Sequence, residues 1–201
     1  MEQRSGILRR LSFLRDAMKQ NGYGAVVVAG NTEFQQKGYI RYFADWRLFG
    51  GSAQMVVLRD ADPILFLGPG AQAEWAKELS AVPDTRPVPD RIDAVVEALV
   101  NQTAPGERIG VVGLQKILPH GEAQQLIEGV APRAIEDATE MVEAFWGVLS
   151  APERADAEVA HGGASRRPLM RSATPSVRIG ANAPWWPTRS GSLCRRDALR
   201  A

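Results

Sequence analysis

The chain has 201 residues, of which 45% are hydrophobic and 23% charged, with a formal net charge of +1 at pH 7. This is the composition of an ordinary globular protein, long enough for one domain and not comfortably for two. The longest apolar runs, such as residues 25–29 and 64–67, fall far short of the ~20 residues that span a bilayer. The N-terminus lacks a signal-peptide apolar region, so we expect a cytoplasmic protein with no membrane partner. The single cysteine, Cys194, excludes an internal disulfide and a thiolate metal site.

The net charge hides a change of composition along the chain. Residues 1–161 hold 16 Lys and Arg against 22 Asp and Glu, a balance of −6, whereas residues 162–201 hold 8 Arg, no Lys and one Asp, a balance of +7. The second stretch mixes Ser, Arg, Pro, Gly and Ala without apolar periodicity, which predicts a disordered tail. An arginine-rich, lysine-free end on an acidic domain is what a shifted reading frame would give, and we expect that origin.

The first elements predict an α/β fold. Helical spacing of apolar residues over 5–21 predicts an amphipathic helix, with Ile7, Leu8, Leu11, Leu14 and Met18 on its apolar face. Residues 25–29, all Ala or Val, then read as a buried strand. Residues 30–51 are rich in aromatic rings, and we expect them to be irregular.

The middle of the chain predicts a mixed sheet. Residues 54–58 and 64–67 form two short apolar runs joined by an Asp- and Pro-containing turn, which indicates an antiparallel hairpin. A helix over residues 71–79 should follow, with Trp75 and Leu79 on its inner face. Two prolines in residues 85–89 predict an edge strand or an extended link.

The last elements of the domain repeat the helix and strand alternation. A helical stripe over residues 92–100 precedes a buried strand at 108–113, a short helix at 121–129 and a short strand at 133–136. Because residues 25–29 and 109–112 are apolar on both faces, we predict that they are neighbouring central strands.

Residues 135–153 predict a connector to a second domain. Apolar residues at helical spacing make one stripe, with Met141, Phe145, Trp146 and Leu149 as its large members. Ser150 and Glu153 then stand in the S-x-x-E pattern of a capping box, with Pro152 inside the first turn, so a second helix should begin there. We expect part of the apolar stripe to be exposed when a partner domain is absent, and to favour self-association.

This connector and the segment Gly-Tyr-Ile-Arg-Tyr-Phe at 38–43 resemble the creatinase/prolidase family of pita-bread metallopeptidases, which includes the Xaa-Pro aminopeptidases. The resemblance implies that residues 1–150 are the family's N-terminal α/β domain, a mixed sheet flanked by helices. It implies that residues 151–161 begin a truncated catalytic domain and that residues 162–201 are the tail. The expected function is that of a non-catalytic domain with an interface or substrate-access role.

The catalytic machinery of the family, as the resemblance implies it, is a pair of divalent metal ions held by two aspartates, a histidine and two glutamates of the pita-bread domain. None of these ligands can be assigned to a residue of this sequence. We therefore expect no catalytic residue, no metal ligand and no cofactor in this chain, and no hydrolase activity by the chain alone. His120 is expected to be a solvated or capping loop residue, because no second histidine lies near it.

The ring-rich segment supplies the candidate contact residues Arg41, Tyr42, Asp45 and Trp46. Aromatic residues and arginine concentrate at interfaces. The alternative is that the rings cover the core of the domain, since Tyr and Phe are mostly buried. The expected partners are a second copy of the chain, as in a dimer, or a pita-bread catalytic domain. A nucleic-acid partner is not expected, because the arginines of the tail are scattered. Two other readings stay open: a free-standing module that pairs with a peptidase on another chain, and a small-ligand-binding α/β domain.

Overall fold

A computed structural model of the protein describes residues 2–33, 38–147 and 151–166. The chain divides into two units, residues 1–149 and residues 150–201. The described part of the first unit is an α/β domain, and the described part of the second is one helix.

The elements of the first unit alternate along the chain much as the sequence predicts. In chain order they are α1 (Glu2–Asn21), β1 (Tyr23–Asn31), α2 (Gly38–Ala44), β2 (Ser52–Leu58), β3 (Ile64–Leu67), α3 (Ala71–Leu79), β4 (Asp84–Pro87), α4 (Arg91–Gln102), β5 (Arg108–Val112), α5 (His120–Gly129), β6 (Ala134–Asp137) and α6 (Thr139–Trp146).

The described strands form one six-stranded sheet in the order β4-β3-β2-β1-β5-β6. β1 runs parallel to β5, which runs parallel to β6, and β3 runs parallel to β4. β2 is antiparallel to both of its neighbours, β1 and β3. The mixed sheet, the β2–β3 hairpin and the edge position of β4 are all as predicted.

β1 and β5 are neighbouring inner strands, which confirms the prediction made from their apolar composition. Val27 pairs with Val111 in this parallel ladder, and both side chains are fully buried. Strands that are covered on two faces read as continuous apolar runs, because each face needs its own apolar residues.

Helix α1 covers the sheet with most of its predicted apolar face. Ile7, Leu11, Leu14 and Met18 are buried, whereas Leu8 is 67% exposed and lies off the buried stripe. Asp90 caps the N-terminus of helix α4, and its carboxylate accepts hydrogen bonds from the backbone N–H groups of Ile92 and Asp93. This cap satisfies two of the donors that a helix start leaves free.

Two expectations about the middle of the chain are wrong. The ring-rich segment is not irregular throughout, because α2 occupies Gly38–Ala44. Trp75 and Leu79 do not face inward: they are 57% and 68% exposed, while Ala73 and Ala76 make the buried side of α3. Small side chains let this helix approach the sheet closely, and the larger ones point to solvent.

The second unit begins with α7 (Ala151–Arg166), next to the position where the capping pattern predicts a helix start. The predicted disordered tail begins at residue 162, but α7 continues through Arg166, so the first five residues of that stretch are helical. The rest of the predicted tail lies outside the described residues. None of the described helices has both the length and the apolar character that crossing a membrane requires.

Candidate functional site

The four candidate contact residues lie on α2 and the loop that follows it, and they differ in exposure. Arg41 is exposed, Tyr42 and Asp45 are half-buried, and Trp46 is buried. Arg41 is thus the one exposed member of the set, and the four residues do not form one open patch.

Asp45 ends α2 with a left-handed backbone. Its φ is 51°, and its N–H donates a 3.0 Å hydrogen bond to the carbonyl oxygen of Arg41. Aspartate tolerates this conformation better than most residues. The turn directs the chain away from the helix, so the residue has a backbone role whether or not it contacts a partner.

Trp46 lies in the hydrophobic core with 3% exposure. Its ring meets the exposed ring of Phe49 edge to face, with 5.8 Å between centroids. Within the described part of the chain its indole N–H has no hydrogen-bond partner. For this residue the geometry favours the core-covering alternative over a contact surface.

The ring of Tyr42 is enclosed by groups of its own domain. The guanidinium carbon of Arg10 lies 4.3 Å from the centre of the ring on α1's side, and the ring of Trp146 lies 5.9 Å from it on α6's side. Arg10 Nη1 also donates a 2.9 Å hydrogen bond to the Tyr42 carbonyl oxygen. Tyr42 thus joins three helices rather than standing free.

Two of the predicted connector residues, Phe145 and Trp146, pack against α2. Met141, Phe145 and Trp146 are half-buried, and the Trp146 ring lies 4.6 Å from the ring of Tyr39. Phe145 lies edge-on to Phe43, with 6.4 Å between ring centroids. Leu149, the fourth member of the predicted stripe, lies outside the described residues. The described part of the stripe is therefore largely covered within the first unit.

A polar contact that the sequence did not indicate accompanies these rings. The Tyr39 hydroxyl donates a 2.6 Å hydrogen bond to Glu143 Oε1, which joins α2 to α6. Burial of the phenol raises the pKa of Tyr39 above its ordinary value, and the hydrogen bond to Glu143 and the charge of that carboxylate raise it further. More than one hundred residues separate the two partners, so no local spacing points to the pair.

A shallow surface groove lies between α4 and α5. Its volume is about 690 Å³, and it is lined by Asp93, Val96, His120, Gly121, Gln124, Gln125, Glu128 and Gly129. His120 is exposed there at the start of α5. Two of its other side chains are already paired, since Gln125 Nε2 donates a 2.8 Å hydrogen bond to Asp93 Oδ1.

The described residues do not fit a metal pair. Across residues 2–33, 38–147 and 151–166, no three His, Cys, Asp or Glu side chains converge closely enough to hold a metal ion. A hydrolytic metal site needs several protein ligands and an open position for water. No step of a metal-dependent reaction can be built on this part of the chain.

Comparison with known proteins identifies the family. The model of the creatinase/prolidase N-terminal domain matches residues 10–145. No curated protein matches the sequence closely enough to count as a relative.

Solved structures share the fold. The dipeptidase PepE of Mycobacterium ulcerans is 20% identical with a TM-score of 0.60, and the match covers 81% of this chain and 42% of that one. The prolidase of Pyrococcus horikoshii OT3 is 17% identical with a TM-score of 0.56, and the match covers 78% of this chain and 41% of that one.

A third structure contains the N-terminal domain alone. It is the creatinase/prolidase N-terminal domain of an X-Pro dipeptidase from Streptococcus pyogenes, 15% identical with a TM-score of 0.53, and the match covers 68% of this chain and 98% of that one. The chain thus spans about two fifths of the full-length peptidases and nearly the whole of the isolated domain. It belongs to the creatinase/prolidase N-terminal domain family.

Proposed function

We propose that this chain acts as the non-catalytic N-terminal domain of an Xaa-Pro-peptidase-like metallohydrolase. In this role it pairs with a pita-bread catalytic domain and contributes an interface or a wall of the substrate path, while the catalytic domain supplies the divalent metal ions. The chain itself hydrolyses nothing.

The observation that carries the proposal is the extent of the family match. It covers residues 10–145 and ends one residue before the last residue of α6. The matched full-length peptidases are more than twice as long as the part that corresponds to this chain. The shared part is the N-terminal fold, and the reaction chemistry of such enzymes would have to come from elsewhere.

The surface of α2 supports an interface role at two positions. Arg41 is exposed on the helix, and Asp45 follows at its C-terminal turn. A guanidinium and a carboxylate one helical turn apart offer a donor fork and an acceptor to a partner. Tyr42 and Trp46 pack within the domain as described above, and the sequence hypothesis that groups all four residues as contacts stays a prediction.

A small-ligand-binding domain is the second candidate, and the groove between α4 and α5 is what favours it. The groove is open and mostly lined by polar side chains, whereas small-molecule sites are usually enclosed and apolar. We rank this function below the first for that reason.

Affinity purification of the tagged chain from its own cells, with cross-linking and mass spectrometry, separates the two candidates. The proposal expects a pita-bread peptidase chain cross-linked near α2, and expects Arg41→Glu to weaken that capture while Lys116→Glu, an exposed change elsewhere, does not. If no pita-bread protein is captured and small molecules instead raise the melting temperature, the ligand-binding function replaces it.

A further inference from the structure

Five aromatic rings gather where α1, α2 and α6 meet. We call this group the ring cluster, and its members are Tyr39, Tyr42, Phe43, Phe145 and Trp146. Three of the rings come from α2 and two from the end of α6. They lie at the point where the chain leaves the first unit.

Trp146 is half-buried at this junction, where Phe43 and Tyr39 are the most deeply buried rings. Its ring is tilted against Tyr39 and Tyr42 at 4.6 and 5.9 Å, and the far edge of its six-membered ring approaches the backbone of Gly38. A Cβ atom placed on Gly38 would lie 3.0 Å from Trp146 Cη2. The indole therefore sits in a recess that α2 provides, and the absence of a side chain at Gly38 makes the recess.

A polar contact adds a second link between α2 and α6, through the exposed residue Glu143. The Tyr39 hydroxyl donates its hydrogen bond to Glu143, which lies one turn before Trp146 on the same helix. Ring packing alone tolerates sliding, but a 2.6 Å hydrogen bond to a carboxylate sets both distance and direction. The bond and the ring contacts together hold the last turn of α6 at two separate points.

The third helix completes the arrangement. Arg10 of α1 covers the face of Tyr42 at 4.3 Å and donates a hydrogen bond to its carbonyl oxygen. A cation over an aromatic face is attracted by the ring. These contacts connect the ring cluster to α1, whose apolar face packs in the hydrophobic core.

From these contacts we propose that the ring cluster and the Tyr39–Glu143 bond form a clamp that fixes the end of the connector helix α6 from within the first unit. The proposal rests on the proposed function, because it concerns how the domain presents its connector to a catalytic partner. Tyr39 and Trp146 are positioning residues in it. The partner domain then meets a connector that is already ordered and does not have to order it on binding.

Such a clamp has an energetic consequence for pairing. A segment that becomes ordered only on binding costs conformational entropy at that moment and weakens the association. A connector held in advance by α2 avoids that cost. Trp146 already contacts α2 inside the first unit, and the sequence prediction that the connector residues are shared with a partner domain stays a prediction.

Amide hydrogen exchange of the full chain, followed residue by residue over α6, tests the clamp. In the wild-type chain the amides of residues 143–147 should be protected, with no catalytic domain present. Tyr39→Phe removes one hydroxyl, and loss of a hydrogen bond to a charged group should speed their exchange about tenfold while β1 and β5 stay unchanged. Trp146→Ala should speed it more, and Trp146→Phe should restore part of the protection.

The matched control is Tyr23→Phe. Tyr23 also donates a hydroxyl hydrogen bond to a glutamate, Glu136 at 3.1 Å, but it does so on β1, away from the ring cluster. The Tyr23→Phe change should leave the amide exchange of α6 unchanged. The clamp is refuted if α6 exchanges freely in the wild-type chain, if Tyr39→Phe matches the control, or if Tyr39→Phe speeds exchange equally across the sheet. None of these readings needs a partner or activity, so a failed capture experiment would overturn the proposed function and leave the clamp standing.

Discussion

The buried guanidinium of Arg133 holds the end of α4 through Thr103. Arg133 Nε donates a 2.8 Å hydrogen bond to the Thr103 hydroxyl, and Nη2 donates one of 2.6 Å to the Thr103 carbonyl oxygen. The Thr103 hydroxyl in turn donates to the carbonyl oxygen of Leu99 at 2.7 Å. A cation at a helix C-terminus also interacts favourably with the helix dipole.

We expect Arg133→Met to lower the free energy of unfolding by about 2–3 kcal/mol, because it leaves buried carbonyl groups without donors. Urea denaturation measures the loss. Lys77→Met is the control, since Lys77 pairs with Glu74 at the surface of α3, and such a pair contributes about 0.5 kcal/mol or less. Equal losses for the two variants would show that the Arg133 contacts add no stability.

Gly110 on β5 tests the packing between the sheet and the start of α6. A Cβ atom there would lie 2.8 Å from the Cβ of Ala138 and 3.2 Å from Cγ2 of Val26. Gly110→Ala should therefore destabilise the domain by about 1–3 kcal/mol through overpacking. Gly6→Ala is the matched change, because nothing lies within 4 Å of a Cβ on Gly6 and alanine favours the helix. If the Gly110→Ala protein is as stable as the Gly6→Ala protein, α6 and the sheet are farther apart than the structure shows.

The sequence predicted those parts of the fold whose side-chain patterns are set by burial on two faces. β1 and β5 are examples, since a β-branched run such as Val26–Val28 favours a strand that is covered on both faces. The expectations for α2 and for the inner face of α3 were wrong. The buried residues of α2, which are Tyr39, Ile40, Phe43 and Ala44, do follow helical spacing, but seven residues are too few for that spacing to stand out in a ring-rich segment. Helix α3 packs through Ala73 and Ala76, so ranking its residues by size selected the wrong face.

The contacts around the candidate residues could not be predicted from the sequence, for a different reason. Tyr39 meets Glu143, and Gly38 meets Trp146, only because the sheet places α2 next to α6. Such pairs depend on strand order and on where each helix crosses the sheet. Local spacing carries no information about either.

Glu136 should make stability depend on pH in the acid range. Two hydrogen bonds from Arg108, and one from the Tyr23 hydroxyl, lower the pKa of Glu136 below its ordinary value near 4.5. A pKa lowered by folding contributes stability that is present above the unfolded-state pKa and is lost as pH falls through the folded-state pKa. Wild type should thus exceed Glu136→Gln in urea midpoint at pH 6, and the difference should shrink below pH 4.5. A difference for Glu136→Gln that stays constant across this pH range would refute the linkage.

Self-association at high concentration should depend on α3 rather than on the connector. Trp75 is 57% exposed and Leu79 68%, whereas Trp146 is half-buried in the ring cluster. Exposed apolar groups that share one helix face favour association. Sedimentation velocity should show less association for Trp75→Ser than for wild type, while Trp146→Ser should mainly lower the melting temperature. If a fully stable Trp146→Ser protein associates less than wild type, the chain associates through the apolar stripe of the connector instead.

The proposal that this chain is a non-catalytic domain is tested most directly by a peptidase assay. Activating water at neutral pH requires a divalent ion bound strongly by several convergent ligands, and adjacent carboxylates such as Glu136 and Asp137 hold a hard cation only weakly. We therefore expect no hydrolysis of Xaa-Pro dipeptides or tripeptides by the purified chain with manganese, cobalt or zinc. A full-length pita-bread peptidase under the same conditions serves as the positive control. Turnover by this chain that survives repurification and disappears with a chelator would contradict the account.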